Sequence, residues 1–300
     1  MVQQVVFLPY AGGSKFAYRN YVKNLPVGVE GILPELPGHG MRMQELPLTS
    51  LQEVVEDLYK QIRPQLKGPY IIYGHSMGSL LGFLLTKYLL QKGDPIPQYC
   101  AFTGTMAPSQ TGKRVRKLHL LPKHEFWAAI YAYGGTPQEI RDTEAYQDLV
   151  ENIFRTDFQL VETYKHEAFK LPVPVLVING SEENITPEEV NAWRNDVNNF
   201  VEIQTMPGHH FFIQGKEPVI LQTILSFSTL IQHPQPSKHS KHELIKNSKY
   251  TDVNAEIGLD GYSGQWENGE PSQGNPSIPT NQCEHCNNPC CCAERLINET

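Results

Sequence analysis

Between residues 5 and 206, short apolar segments alternate with longer segments whose apolar residues recur every three or four positions. The short segments 5–10, 31–36, 70–75, 99–105, 174–180 and 200–206 predict strands. The spacing within 51–66 and 77–92 predicts helices. Strands that alternate with helices need crossover connections, so the pattern predicts an α/β fold: a mainly parallel sheet with helices on both faces.

The interval 107–171 departs from this alternation. It lacks a convincing strand and contains helical segments around 124–133, 145–154 and 158–169. Long insertions at the carboxyl edge of a parallel sheet shape binding sites, so we interpret the interval as a helical lid. The alternative is a helical excursion that packs on the side of the sheet. We assign most of its aromatic and apolar residues to packing rather than to a ligand pocket.

Composition changes after the predicted helix at 217–231. Residues 233–300 are rich in Pro, Ser, Asn, Gln, Gly and Lys. Such a segment buries too little apolar surface to offset the cost of ordering, so we predict a domain over 1–232 and a disordered polar tail over 233–300. The tail carries a cysteine cluster, in which Cys283, Cys286 and Cys290 form an alternative metal site. Lipidation and redox pairing are further alternatives.

Charge and hydropathy exclude several classes of partner. The formal net charge is −7, whereas nucleic acids and anionic membranes attract a positive surface. No segment approaches the roughly 18 uninterrupted apolar residues of a membrane helix, and the amino terminus lacks the basic region of a signal peptide. We therefore expect a cytoplasmic protein that binds neither nucleic acid nor membrane.

Residues Gly74 to Gly78 match G-x-S-x-G, between the strand predicted at 70–75 and the helix predicted at 77–92. This is the context of a nucleophile elbow, whose turn is too sharp for side chains at the glycine positions. The elbow exposes the Ser76 hydroxyl and places the amide of Met77 at a helix amino terminus, where it can donate to an oxyanion. A glycine-rich turn capped by a serine is the alternative.

A serine hydroxyl needs a base, and elbow enzymes carry nucleophile, acid and histidine in that chain order. His209 and His210 follow the last predicted strand, and two adjacent side chains cannot both face Ser76. Glu182 and Glu183 follow the preceding strand, where a carboxylate can orient the imidazole. The alternatives are a surface histidine and solvated loop charges.

The loop after the first predicted strand is expected to supply a second oxyanion donor. Gly12 and Gly13 let its backbone bend close to a ligand. A phosphate-binding loop is the alternative, but the segment lacks the lysine and the spacing of a P-loop.

Several motifs occur in a fixed order over residues 3–231: FLPYAGGS, LPGHG, GHSMG, FRTDFQLVETY, NGSEEN and GHHFF. Together they resemble the type II thioesterases of nonribosomal peptide and polyketide synthesis, which are α/β-hydrolases. The resemblance implies that Ser76 is the nucleophile and His210 the base. It also implies Glu183 as the triad acid, with Glu182 as the runner-up. The backbone amides of Ala11 and Met77 then form the oxyanion hole.

The resemblance also implies the substrate, an acyl group held as a thioester on the phosphopantetheine arm of a carrier protein. Acyl- or peptidyl-carrier domains are the expected partners of a monomeric enzyme that needs no cofactor and regenerates a synthase. Two site residues depart from the family pattern, because Glu183 replaces an aspartate and His209 a glycine. The alternatives are a chain-releasing thioesterase or small-molecule esterase, and a catalytically weak module that binds carrier proteins.

Overall fold

The computed structural model describes residues 2–114 and 117–232, and this part of the chain forms a six-stranded sheet between helices. The strands are β1 (Gln4–Leu8), β2 (Glu30–Ile32), β3 (Tyr70–His75), β4 (Cys100–Thr103), β5 (Val175–Gly180) and β6 (Val201–Met206). The helices are α1 (Arg19–Lys23), α2 (Leu51–Ile62), α3 (Met77–Lys92), α4 (Lys123–Tyr133), α5 (Gln138–Asp142), α6 (Glu144–Glu162), α7 (Pro187–Asn191), α8 (Trp193–Asp196) and α9 (Glu217–Gln232).

The strands lie in the order β2-β1-β3-β4-β5-β6, and every neighbouring pair is parallel. The predicted α/β fold is therefore confirmed. All carboxyl ends of the strands meet at one edge, so the loops that follow β1, β3, β5 and β6 can share a site.

Both faces of the sheet are buried because successive strand residues point to opposite sides. On one face, Val6 and Ile72 belong to a cluster with α2 and α3 residues such as Leu58. On the other face, Val5 and Ile71 pack with residues of α1 and α9. The strands read as continuous apolar segments for this reason. Cys100, expected in the core, is fully buried in β4.

Prolines shorten several predicted elements. β1 ends at Leu8, directly before Pro9, and β2 ends at Ile32, two residues before Pro34. Proline lacks the N–H that the sheet ladder needs. The α-helix predicted over 51–66 ends at Ile62 and continues as a 3-10 turn over Arg63–Gln65, because Pro64 lacks the N–H that a further α-helical hydrogen bond needs.

The insertion between β4 and β5 is helical as predicted, but the predicted break between two of its helices and the extension of the second to residue 169 are wrong. The segments expected at 145–154 and 158–169 form the single helix α6, which ends at Glu162. Residues 155–157 contain neither Gly nor Pro, so the backbone continues through them. The apolar side chains of α4 and α6 form a small core of their own, with Phe126, Trp127, Ile130 and Phe154 buried.

Within the two described ranges, no helix combines the length and apolarity that crossing a bilayer requires. The predictions for the tail at 233–300, including the option of a metal site at Cys283, Cys286 and Cys290, lie outside the described residues.

Candidate active site

Ser76 occupies a strained turn between β3 and α3. Its backbone has φ 54° and ψ −120°, and it is the one non-glycine residue with positive φ in the part of the chain that the structure describes. Its N–H donates to the carbonyl of Thr103 at 2.9 Å, which ties the turn to the end of β4. A non-glycine residue in this region costs free energy and persists only where the surroundings enforce it.

The flanking glycines are required by close backbone contacts. A Cβ added to Gly74 would overlap the carbonyl group of Gly78. A Cβ added to Gly78 would lie 2.5 Å from the carbonyl oxygen of Leu8. The start of α3 is thus held against the end of β1, and a side chain at either glycine would force the two apart.

Two backbone amides, those of Met77 and Ala11, are the predicted oxyanion donors. Met77 is the first residue of α3, and an N–H in the first helical turn has no partner within the helix. In the loop after β1, the Gly13 N–H donates to the Tyr10 carbonyl at 2.8 Å and closes a tight turn, with Gly12 at φ +70°. Such a turn does not use the amide of its second residue, Ala11. The N–H groups of Met77 and Ala11 therefore have no hydrogen-bond acceptor within their own helix or turn.

His210 lies against Glu183. The imidazole Nδ1 donates to Glu183 Oε1 at 2.6 Å, and the second carboxylate oxygen accepts the Gly180 N–H at 2.5 Å. The Glu183 side chain is 2% exposed. A carboxylate held at both oxygens fixes the imidazole tautomer, so Nε2 of His210 is left as the acceptor.

His209 and Glu182 form a second pair that faces solvent. His209 Nε2 lies 2.8 Å from Glu182 Oε2, with the two side chains 76% and 51% exposed. The structure therefore brings Glu183, and not Glu182, to His210. The neighbouring residues on both loops point outward.

His75, the residue before Ser76, packs on His210. The two ring centroids are 4.8 Å apart, and the buried His75 ring bonds through Nδ1 to Thr103 Oγ1 at 3.0 Å. Burial, with a smaller effect of the neighbouring His210, lowers the pKa of His75 well below its ordinary value. His75 is therefore a neutral ring that supports His210.

The helical insertion touches both halves of the site. The ring of Tyr133, at the end of α4, lies 5.2 Å from the ring of His210. The ring of Phe154, on α6, occupies the space that a Cβ on Gly12 would need. The insertion thus contacts both His210 and the turn that contains Ala11.

A buried ion pair, which the sequence reasoning missed, joins α6 to this turn. Asp157 Oδ2 accepts the Gly12 N–H at 2.7 Å and lies 2.9 Å from His39 Nε2. Both side chains are buried. Burial lowers the pKa of His39. The hydrogen bond and charge of Asp157, together with the charge of Glu35, raise it by a larger amount, so the pKa of His39 lies above its ordinary value.

A strained serine at a strand-to-helix turn of a parallel sheet, followed by an acid and a histidine at the same edge, is the arrangement of α/β-hydrolases. The chain belongs to the thioesterase domain family, which matches residues 3–227.

Similar proteins support this membership. The gramicidin S biosynthesis protein GrsT of Aneurinibacillus migulanus is 30% identical over 233 residues, which cover 76% of this chain and 90% of the relative. Thioesterase PikA5 of Streptomyces venezuelae is 29% identical over 216 residues, covering 71% of this chain and 76% of the relative.

Solved structures share the fold. ClbQ from the colibactin NRPS/PKS pathway superposes with a TM-score of 0.70 at 28% identity, covering 77% of this chain and 100% of that structure. The type II thioesterase BorB from the borrelidin biosynthetic cluster gives a TM-score of 0.68 at 26% identity, covering 75% and 92%.

Replacing Gly74 by alanine is expected to destabilise the elbow. The new methyl group meets backbone that cannot rotate away, so we expect the free energy of unfolding to fall by about 2 kcal/mol or more. Gly68→Ala is the matched control, because its Cβ would meet only the flexible end of the Gln3 side chain. Denaturant unfolding of both variants measures the difference. Equal stability of the two would contradict the proposed backbone constraint.

Asp157→Asn is expected to cost more stability at low pH than at high pH. The folded state raises the pKa of His39, so the contribution of the ion pair is complete below the unfolded pKa of about 6.5 and is lost as pH rises through the folded value. Removing one partner of a buried pair costs about 3 kcal/mol at pH 6. Thermal unfolding from pH 6 to 9 measures how this cost shrinks.

The exposed pair of His209 and Glu182 supplies the control for that experiment. Glu182→Gln removes a carboxylate from a histidine in solvent, and such pairs contribute little to stability. A cost of Asp157→Asn that stays constant across the pH range would show that His39 is not charged in the folded protein.

Proposed function

We propose that the protein is a type II thioesterase that hydrolyses acyl groups from the phosphopantetheine arms of carrier proteins. It thereby removes acyl groups that block a nonribosomal peptide or polyketide synthase. The observation that carries this proposal is the strained Ser76 elbow beside the pair of His210 and Glu183, in a chain of the thioesterase family. Relatives named for such pathways support it.

In the first half-reaction, Ser76 Oγ attacks the thioester carbonyl carbon while His210 Nε2 accepts the hydroxyl proton. The amides of Ala11 and Met77 donate to the oxyanion that forms. Glu183 stabilises the imidazolium through Nδ1. The C–S bond then breaks, the sulfur takes the proton from His210, and the acyl group remains on Ser76 as an ester.

In the second half-reaction, His210 takes a proton from water, and the resulting hydroxide attacks the ester carbonyl. Ser76 leaves with the proton that His210 returns, and the carboxylic acid is released. The sum is thioester plus water giving acid plus thiol. Because a thiol has a pKa of about 8.5, its thiolate is a better leaving group than an alkoxide. Acid assistance by His210 therefore matters more in deacylation than in acylation.

Ser76→Ala is expected to abolish release of acetate from acetyl-loaded carrier protein. The variant lacks the attacking oxygen, and removal of a triad nucleophile costs about 10⁶-fold in kcat. The assay follows loss of the acetyl group by mass spectrometry, with acetyl-coenzyme A and a chromogenic ester as small substrates. Wild-type release should be faster from the carrier protein than from either small substrate.

Three other results would each contradict part of this proposal. Turnover that survives in Ser76→Ala would show that Ser76 is not the nucleophile. Equal or faster turnover of small substrates would indicate a general acyl hydrolase or esterase. Absence of wild-type turnover on all three substrates would indicate a binding module.

Glu183→Gln is expected to lower kcat by about 10³- to 10⁴-fold, because the amide cannot hold the imidazole in the required tautomer or stabilise its charge. Glu182→Gln is the matched control, since the same change occurs one residue away on an exposed side chain. Steady-state rates with acetyl-loaded carrier protein measure both. A larger loss in Glu182→Gln than in Glu183→Gln would reverse the assignment of the acid.

A further inference from the structure

Two loops at the carboxyl edge of the sheet expose large apolar side chains that the catalytic reaction does not use. Phe16 follows β1, while Met41, Met43 and Leu46 follow β2, and their exposed fractions are 44%, 70%, 44% and 87%. We call these four residues the edge patch. Grouped exposed apolar residues of this size mark interaction surfaces in soluble proteins.

The two loops form one surface because Glu35 holds them together. Glu35 is almost fully buried, and its carboxylate accepts the Lys15 N–H at 3.0 Å and the Met41 N–H at 3.3 Å. The two loops also approach each other closely, since a Cβ added to Gly40 would lie 3.0 Å from the Cβ of Ser14. The edge patch is therefore fixed in place before any partner arrives.

The second loop is closed on itself. The Gly38 N–H donates to the Arg42 carbonyl at 3.0 Å, and Arg42 contacts Glu45 at 2.6 Å and Asp57 at 2.7 Å. The single positive charge of Arg42 balances one of these two carboxylates, so the cluster of Arg42, Glu45 and Asp57 keeps one net negative charge.

Two cations flank the exposed ring of Phe16. Lys15 Nζ lies 5.6 Å from the ring centroid, and the Arg19 guanidinium carbon lies 5.1 Å from it. Among residues 2–114 and 117–232, neither side chain has an anionic partner within salt-bridge distance. The surface therefore combines an apolar platform with two positive charges available to an anion.

The edge patch borders the candidate active site. Ser14 and Lys15 follow directly on the turn from Tyr10 to Gly13, which contains Ala11. In the other loop, His39 is joined through Asp157 to the amide of Gly12. A partner seated on the patch therefore rests beside the oxyanion turn.

We propose that the edge patch is the docking surface for the carrier protein, and this rests on the proposed function. A carrier protein presents its acyl group on an arm joined to a serine through an anionic phosphodiester. Lys15 and Arg19 bind that phosphodiester, while the edge patch contacts apolar side chains around the modified serine. The arm then runs past the oxyanion turn to Ser76.

Three variants and three substrates test this assignment. The variants are Phe16→Ser, Leu46→Ser and Arg19→Glu. The substrates are acetyl-loaded carrier protein, acetyl-coenzyme A, which keeps a phosphate on the arm, and acetyl-pantetheine, which has neither phosphate nor protein. Val27→Ser and Lys60→Glu are matched controls, because Val27 is fully exposed before β2 and Lys60 is exposed on α2, outside both loops.

We expect all three variants to raise KM for the carrier protein by about tenfold, the usual effect of losing one central contact in an interface. Arg19→Glu alone should also raise KM for acetyl-coenzyme A, and should reduce the dependence of the carrier reaction on salt. Turnover of acetyl-pantetheine should stay within about twofold of wild type for every variant, as should all rates of the two controls.

Several outcomes would overturn the assignment. Unchanged KM for the carrier protein in the three variants would exclude the edge patch as the docking surface while leaving the proposed function intact. Equal losses on acetyl-pantetheine would indicate damage to the catalytic site. Conversion of a wild-type dimer to monomers by Phe16→Ser, seen by light scattering, would make a second copy of the chain the occupant. Wild-type enzyme that shows no preference for the carrier protein would overturn both proposals.

Discussion

The site depends on the close backbone approach where β3 turns into α3. Gly74 and Gly78 lie so close to each other and to Leu8 that only glycine fits at either position. Ser76 is thereby held at positive φ, a conformation that costs about 1 to 3 kcal/mol and that isolated turns avoid. The parallel pairing of β3 with β1 and β4 balances this cost, because the turn cannot relax without separating strands of the central sheet.

The helical insertion also holds the loop after β1 in place. Asp157 of α6 binds the amide of Gly12, so the turn that offers the Ala11 amide is positioned from above as well as from β1. Phe154 packs on that same glycine. A movement of α6 away from the sheet would release the Gly12 amide and uncover the buried His39 at once. The position of the insertion and the shape of the turn from Tyr10 to Gly13 are therefore coupled.

Local sequence determined the elbow, whereas long-range contacts determined the rest of the site. The predicted limits of β3 and α3 match the structure because glycine positions and helical spacing are properties of neighbouring residues. The residues alone left His209 and His210 open, the family resemblance selected His210, and in the structure His210 lies against Glu183 while His209 pairs with Glu182. The pair of His39 and Asp157 joins residues 118 positions apart, so no local pattern predicts it.

The glutamate at position 183 shows how the fold accommodates a departure from the family pattern. A glutamate is one methylene longer than an aspartate, so its carboxylate would overshoot the histidine if the side chain extended freely. Here the side chain folds back, and its second oxygen accepts the amide of Gly180, the last residue of β5. The backbone thus fixes the carboxylate at 2.6 Å from His210. The longer side chain therefore reaches the imidazole with one oxygen while the backbone holds the other, so the orientation of His210 depends on the turn that follows β5.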